Sequence, residues 1–118
     1  MGTEGTRIEI GQPAKDGGVP IRVTGELDYA RADELRQALE VAVGKRTSIV
    51  RIDARGLRLL DSTALGVLLF FARELHDRGG YLELRYDTQA LRRTLGVASL
   101  GKSLQLVDDT AGKPAQLR

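Results

Sequence analysis

Three consecutive polar residues, Asp61-Ser62-Thr63, are the side chains of this protein best placed to do chemistry. They separate an apolar segment from an apolar run that begins at Ala64 and has the composition of a helix. A hydroxyl at a helix entrance is held in place near the positive end of the helix dipole, where a phosphate can be added and removed. The same residue types also cap helices, because their oxygens accept the unpaired backbone N–H groups. The residues alone therefore leave two interpretations open, a capping site and a phosphorylation site.

The composition predicts one soluble domain with an aliphatic core. The chain has 118 residues, 42% of them hydrophobic, with no cysteine and a net charge of +2. Such a chain can bury a core without disulfides or metals, and the absence of cysteine fits a reducing compartment. Basic residues form no long block, and three Tyr with two Phe offer few stacking platforms. We therefore expect a cytoplasmic protein that neither binds nucleic acid nor inserts directly into a membrane.

The inventory of catalytic side chains is small. His76 is the single histidine, and without cysteine a zinc site has few ligands to draw on. Neither a phosphate-binding P-loop nor a dinucleotide-binding glycine motif occurs. A hydrolase that uses Ser62 as nucleophile remains a third hypothesis, although no base is evident beside it. We expect no catalytic residue, no metal and no cofactor, so any nucleotide chemistry must come from a partner.

Apolar periodicity and turn residues predict alternating strands and helices. Strands are predicted over 7–10, 19–23, 48–52, 81–86 and 104–107. Helices are predicted from Asp28 or Tyr29 to Gly44, from about 62 to 77, and over 88–95, with a loop over 53–60. The first two strands should form an N-terminal β-hairpin. The pattern predicts an α/β fold in which α-helices pack on a mixed central β-sheet of about four or five strands.

The helix that follows Ser62 carries more apolar residues than one core-facing stripe requires. Val67, Phe70 and Phe71 lie partly outside the stripe that helical spacing defines. They indicate either a helix buried on two sides or an exposed contact surface beside the hydroxyls. Periodicity does not determine the rotation of the helix, so both interpretations stay open.

Two segments resemble the bacterial anti-sigma factor antagonists, the single-domain members of the STAS (sulfate transporter and anti-sigma antagonist) fold. They are Thr24-Gly25-Glu26-Leu27-Asp28 and Leu60-Asp61-Ser62-Thr63-Ala64-Leu65-Gly66-Val67-Leu68. The Gly79-Gly80 pair before a strand and the segment 91–100 are also similar to this family. The resemblance covers residues 6–109 as one STAS domain, and residues 110–118 are expected to form a flexible tail.

The resemblance implies a regulatory phosphoprotein that switches partners to control transcription and is not an enzyme. Its unphosphorylated form would bind an anti-sigma factor with serine kinase activity and so release a sigma factor. Phosphorylation at Ser62, or less readily at Thr63, would end this binding, and a PP2C-type phosphatase would restore it. The phosphosite environment implied by the family comprises Asp28, Asp61, Thr63, Ala64 and Gly66, with Ala64 standing where many members have Gly. The implied partner-binding residues are Ser62, Thr63, Leu65, Val67, Phe70 and Phe71.

An alternative function within the same fold is transport. Some STAS domains are subunits that regulate a membrane transporter, such as a lipid-transport ABC complex, by docking on its ATPase. That role requires no phosphoryl cycle, so the intact Asp61-Ser62-Thr63 segment favours the switch.

Overall fold

The computed structural model describes residues 5–44, 46–97 and 104–112. The first element in this part of the chain is an antiparallel hairpin. Strand β1 (Arg7–Ile10) pairs with β2 (Val19–Leu27), which confirms the predicted hairpin. Residues along β2 alternate between buried and exposed, as expected for a strand with one face on the core. The strand ends at Leu27 rather than at Val23, so residues 24–27 belong to β2, with a positive φ of +97° at Gly25.

Strand β2 pairs in parallel with two further strands, one after the other. Strand β3 (Ile49–Asp53) pairs with its first half, and β4 (Leu57–Leu60) pairs with Gly25–Leu27. The prediction of a loop over 53–60 is therefore wrong for its second half. Both ends of β4 are buried while its middle is exposed, a pattern that lacks the period of a strand. The β2–β4 pairing contains a register shift between Gly25 and Glu26.

Within the described residues the sheet has six strands, compared with the four or five that the sequence predicts. The order is β1-β2-β3-β5-β6, with β4 attached to β2, where β5 spans Tyr81–Tyr86 and β6 spans Leu104–Asp108. The β1–β2 pair is antiparallel and the remaining pairs are parallel. The predicted α/β class with a mixed sheet is therefore confirmed.

Three α-helices complete the described fold. A 3-10 turn (Tyr29–Arg31) leads into α1 (Ala32–Val43), and α2 (Ser62–Asp77) and α3 (Gln89–Val97) follow later. Helices α1 and α2 pack against each other, α1 over β1 and β2 and α2 over β5, while α3 packs on β4. Because α1 packs beside α2, the two helices together form one surface of the domain, and the candidate site lies on it. In the part of the chain that the structure describes, no helix has the length and hydropathy needed to cross a membrane.

The Gly79-Gly80 pair ends α2 as predicted. The N–H of Gly80 donates to the carbonyl of Leu75 at 2.9 Å, and the N–H of Gly79 donates to that of His76 at 2.9 Å, a Schellman cap. Gly79 takes the positive φ of +85° that this motif requires. A Cβ on Gly80 would lie 1.6 Å from the carbonyl oxygen of Ser48, so the chain passes too closely there for a side chain.

The C-terminal segment continues beyond β6 in ordered form. Residues Thr110–Gly112 form a 3-10 turn, where the sequence predicts the beginning of a flexible tail. Thr110 is buried, and its hydroxyl donates to Asp108 Oδ1 at 2.6 Å, which anchors the turn to the end of β6. Residues 113–118 of the predicted tail, and 98–100 of the family-like segment 91–100, lie outside the described residues.

Candidate functional site

Asp61 connects β4 to α2 and is held from both sides. Its backbone N–H donates to the carbonyl of Leu27 at 3.1 Å, which continues the β2–β4 pairing by one residue. Its carboxylate accepts the N–H of Ala64 at 2.9 Å and so caps α2. The capping function expected from the residue type is therefore present, and it belongs to Asp61. This leaves the hydroxyls of the next two residues available for another function.

Ser62 and Thr63 are the first two residues of α2, and both are exposed. The unpaired N–H groups of the first helical turn surround them, and the positive end of the helix dipole lies at this point. A phosphoryl group added here would remain in water and would receive favourable electrostatics from its own helix. The geometry therefore allows modification of either hydroxyl by an external enzyme without unfolding of the domain.

Asp28 lies beside this site because β2 and β4 end together. Leu27 pairs with Leu60 in register, so Asp28 and Asp61 each follow one member of that pair. Neighbouring strands are about 4.8 Å apart, which brings the two carboxylate-bearing residues to the same edge of the sheet. The Asp28 carboxylate accepts the N–H of Arg31 at 3.2 Å and caps the 3-10 turn. A phosphate on Ser62 would therefore be added to a region that already contains two carboxylates.

Ala64 and Gly66 take different positions in the first turns of α2. Ala64 is fully buried and its N–H is bonded to Asp61, so its methyl group is part of the core. Alanine favours this helical position, and the difference from the Gly of many family members leaves the cap intact. Gly66 is exposed, and a Cβ at that position would meet no atom within 4 Å.

The two faces of α2 divide the implied partner-binding residues into two groups. Thr63, Val67 and Phe70 follow one another at helical spacing, and Phe70 is 60% exposed. Leu65 and Phe71 are on the core side, 7% and 6% exposed. Their assignment to a contact surface is corrected, because a partner cannot reach them without displacing the core. Periodicity alone shows which residues share a face of α2, but it does not show which face points to the core. The burial of each side chain in the structure answers that question.

A groove between the start of α1 and α2 runs beside the hydroxyls. We define the α1–α2 groove by the residues that line it, Tyr29, Ala30, Ala32, Asp33, Arg36, Thr63 and Val67. Tyr29 is 78% exposed, which is unusual for so large a ring. Arg36 donates to Asp33 at 2.7 Å, and this hydrogen bond holds the pKa of the Asp33 carboxyl below its ordinary value. Sequence reasoning missed Tyr29 and Arg36, although both follow the Gly-Glu-Leu-Asp segment closely.

No arrangement for hydrolysis forms around Ser62 in the described residues. His76 is exposed in the last turn of α2. It is fourteen positions further along the helix than Ser62, so the two Cα atoms lie about 21 Å apart along the axis. Among the described residues, no group of three His, Cys, Asp or Glu side chains could hold a metal ion. The hydrolase hypothesis therefore gains no support from His76.

These features match one family of proteins. A family model described as "Mlab, STAS domain" matches residues 10–108, and the chain belongs to the STAS domain family. Among its curated relatives is the anti-sigma-B factor antagonist of Listeria monocytogenes. The two are 31% identical over 88 residues, which cover 75% of this chain and 77% of the relative.

Solved structures of anti-sigma factor antagonists share the fold. One from Mycobacterium paratuberculosis superposes with a TM-score of 0.74 at 24% identity, covering 86% of this chain and 85% of that chain. Unphosphorylated SpoIIAA gives a TM-score of 0.67 at 21% identity, covering 95% and 98% of the two chains. The phosphorylated form of Bacillus SpoIIAA gives 0.61 at 21% identity, covering 95% and 100%. Together with the family match, they confirm the resemblance identified from the Asp61-Ser62-Thr63 segment.

Proposed function

We propose that this protein is an anti-sigma factor antagonist controlled by phosphorylation at Ser62. Its unphosphorylated form binds an anti-sigma factor and so frees a sigma factor for transcription. The observation that carries the assignment is an exposed Ser62 hydroxyl at the entrance of α2, beside a carboxylate that already supplies the helix cap. The curated relative named above is an anti-sigma factor antagonist, which supports the same function, and no feature of the described residues favours the transporter alternative.

The anti-sigma factor itself is proposed to be the serine kinase, and a PP2C-type phosphatase the enzyme that reverses the reaction. This chain has no P-loop motif, which fits a reaction in which the partner supplies the ATP. Because Ser62 is exposed in the first turn of α2, both enzymes can reach it on the folded domain. Thr63 is also exposed, and the family pattern assigns the acceptor role to the first hydroxyl after the aspartate.

The switch works by adding charge to a surface built for contact. Phosphoserine carries about −1.5 to −2 charges at neutral pH, and Asp28 and Asp61 already contribute two carboxylates. The helix dipole stabilises the phosphate in the free protein, so the domain stays folded. A partner that covers the site must remove water from that charge and receives no matching contact. A hundredfold loss of affinity requires about 2.7 kcal/mol, which is within the range for one mismatched charge.

The surface that contacts the partner is proposed to be the α1–α2 groove together with Phe70. Exposed aromatic side chains dominate many protein interfaces, and Tyr29 and Phe70 are both exposed there. Thr63 and Val67 of α2 line the same groove as Tyr29, and Phe70 follows them on α2 at helical spacing, so the phosphorylatable end of the helix is part of the same surface. A charge added at Ser62, next to Thr63, therefore falls within the area that the partner covers.

Binding measurements with two matched charge substitutions test this function. Ser62 is the first residue of α2 after the cap Asp61, and Gln89 is the first residue of α3 after Thr88, whose hydroxyl accepts the N–H of Leu91. Each position is exposed, so Asp at either adds one charge to an equivalent helix start. The partner is the cognate anti-sigma factor, titrated by calorimetry.

We expect Ser62→Asp to weaken binding about a hundredfold, and Gln89→Asp to change it by less than about twofold. Ser62→Ala should retain the affinity of the unmodified protein. Equal affinities of Ser62→Asp and the unmodified chain would contradict the charge mechanism. Purification of the chain with an ABC ATPase and no anti-sigma factor would contradict the function itself.

A further inference from the structure

Strand β1 leaves one edge of the sheet unpaired among the described residues. It pairs with β2 on one side only, in a register that places Arg7 opposite Thr24 and Glu9 opposite Arg22. In the same register the N–H of Gly11 donates to the carbonyl of Pro20 at 2.8 Å. Backbone groups alternate sides along a strand, so the N–H and C=O groups of Ile8 and Ile10 point away from β2. An unpaired edge of this kind can accept another strand.

An apolar groove lies next to this edge. It runs between β1 and the outer side of α1 and is lined by Thr6, Ile8, Ile10, Glu34, Gln37, Ala38 and Val41. Val41 is 73% exposed and Ile10 is 40% exposed, although both belong to residue types that are usually buried. The edge therefore combines free backbone groups with apolar side chains, which is the combination that strand addition uses.

We propose that this edge pairs with the same edge of a second copy of the chain. The two β1 strands run antiparallel about a two-fold axis that passes through Ile8, and they join two sheets into one. Ile8 then faces Ile8 of the second copy, and their outward N–H and C=O groups form a hydrogen-bonded pair. Arg7 faces Glu9 of the second copy, and this ion pair occurs twice because the interface is symmetric.

Charge complementarity selects this register and this occupant. Arg7 and Glu9 lie on the same side of β1, 3.8 Å apart, and both are largely exposed. Within one chain they form an exposed ion pair with each other, and when Ile8 is at the centre each also faces the opposite charge across the axis. A shift of the partner strand by two residues in either direction places Arg7 opposite Arg7 or Glu9 opposite Glu9, and like charges directly opposite each other are destabilising. The sequence Arg-Ile-Glu-Ile is therefore self-complementary in an antiparallel pair.

The paired state leaves the phosphorylation site accessible. The groove between β1 and α1 is on one side of α1, lined there by Glu34, Gln37 and Val41. The α1–α2 groove is on the other side, lined there by Ala32 and Arg36. Each copy in the pair can consequently dock its own partner. The proposal therefore stands independently of the assigned function, and its failure would leave that function untouched.

A cysteine cross-linking experiment tests the register directly. The chain has no native cysteine, so a single introduced thiol has no competitor. In the proposed pair the two copies of residue 8 have Cα atoms about 5.5 Å apart, within the range that a disulfide spans. The two copies of residue 10 would lie about 14 Å apart, beyond that range. Oxidation of the folded, full-length protein should therefore cross-link Ile8→Cys and leave Ile10→Cys a monomer.

Charge reversal tests the same pairing in solution without cross-linking. Sedimentation analysis of the unmodified chain over rising concentration should show a reversible dimer. Arg7→Glu and Glu9→Arg should each weaken it at least tenfold, and the double variant should restore it, because the swap recreates both ion pairs. All of these residues are exposed, and circular dichroism verifies that each variant is folded. A monomer at every concentration, equal cross-linking at residues 8 and 10, or no recovery in the double variant would each overturn the proposal.

Discussion

The Asp61 carboxylate is predicted to stabilise the domain as a helix cap, separately from any effect of its charge on the phosphorylation site. Its Oδ1 accepts the N–H of Ala64 at 2.9 Å at the start of a 16-residue helix. Asp61→Ala removes both the cap and the charge. Loss of an N-cap costs about 1 kcal/mol, and loss of a negative charge at a helix start costs about 0.3–1 kcal/mol more. We therefore expect a total loss of about 1.5 kcal/mol of unfolding free energy.

Asp61→Asn is the matched control for this prediction. Asparagine caps helices about as well as aspartate, so this variant loses only the charge and less than half of the stability that Asp61→Ala loses. Urea unfolding followed by circular dichroism measures both, and in a domain of this size 1 kcal/mol corresponds to about 4 °C in Tm. Equal losses in the two variants, or no loss in Asp61→Ala, would refute the assignment of the cap to Asp61.

Three further predictions concern the α2 terminus, acid stability and the groove. Gly80→Ala should cost at least about 3 kcal/mol of unfolding free energy, because the new methyl group meets backbone. Gly79→Ala should cost only about 1 kcal/mol in the same urea titration, since positive φ is its sole penalty. The hydrogen bond from Arg51 lowers the pKa of Asp16 to about 2, so the pair should stabilise the fold above pH 3.8 and lose that effect as the pH falls towards 2. NMR titration should find this pKa, and Asp16→Asn should remove that part of the pH dependence. Tyr29→Ala should weaken anti-sigma factor binding about tenfold in calorimetry with little change in Tm, because the ring is exposed.

The sequence is sufficient to predict α2 and the position of its hydroxyls. A capping residue at the start, an apolar stripe and a glycine pair at the end are all local signals, and the helix spans Ser62–Asp77 as they indicate. Strand β4 could not be predicted in the same way. Its four residues have no alternating pattern, and its pairing with β2 is irregular, with a register shift between Gly25 and Glu26. Pairing between distant segments leaves no local signal in so short a strand.

The side chains around the site also depend partly on local sequence and partly on packing between distant segments. Spacing identifies Val67, Phe70 and Phe71 as apolar residues beyond one stripe, but only the packing of α2 on α1 and the sheet determines which of them face water. The structure exposes Phe70 and buries Phe71. Tyr29 is part of this surface because α1 packs beside α2. The residues next to Tyr29 in the sequence do not indicate that packing.

Phosphate mapping on the intact protein tests the central claim most directly. The chain, Ser62→Ala and Thr63→Ala would each be incubated with the cognate anti-sigma kinase and ATP, and the modified residue identified by mass spectrometry. We expect one phosphate on Ser62 in the unmodified chain and in Thr63→Ala, and none in Ser62→Ala. Undiminished phosphorylation of folded Ser62→Ala would contradict the account.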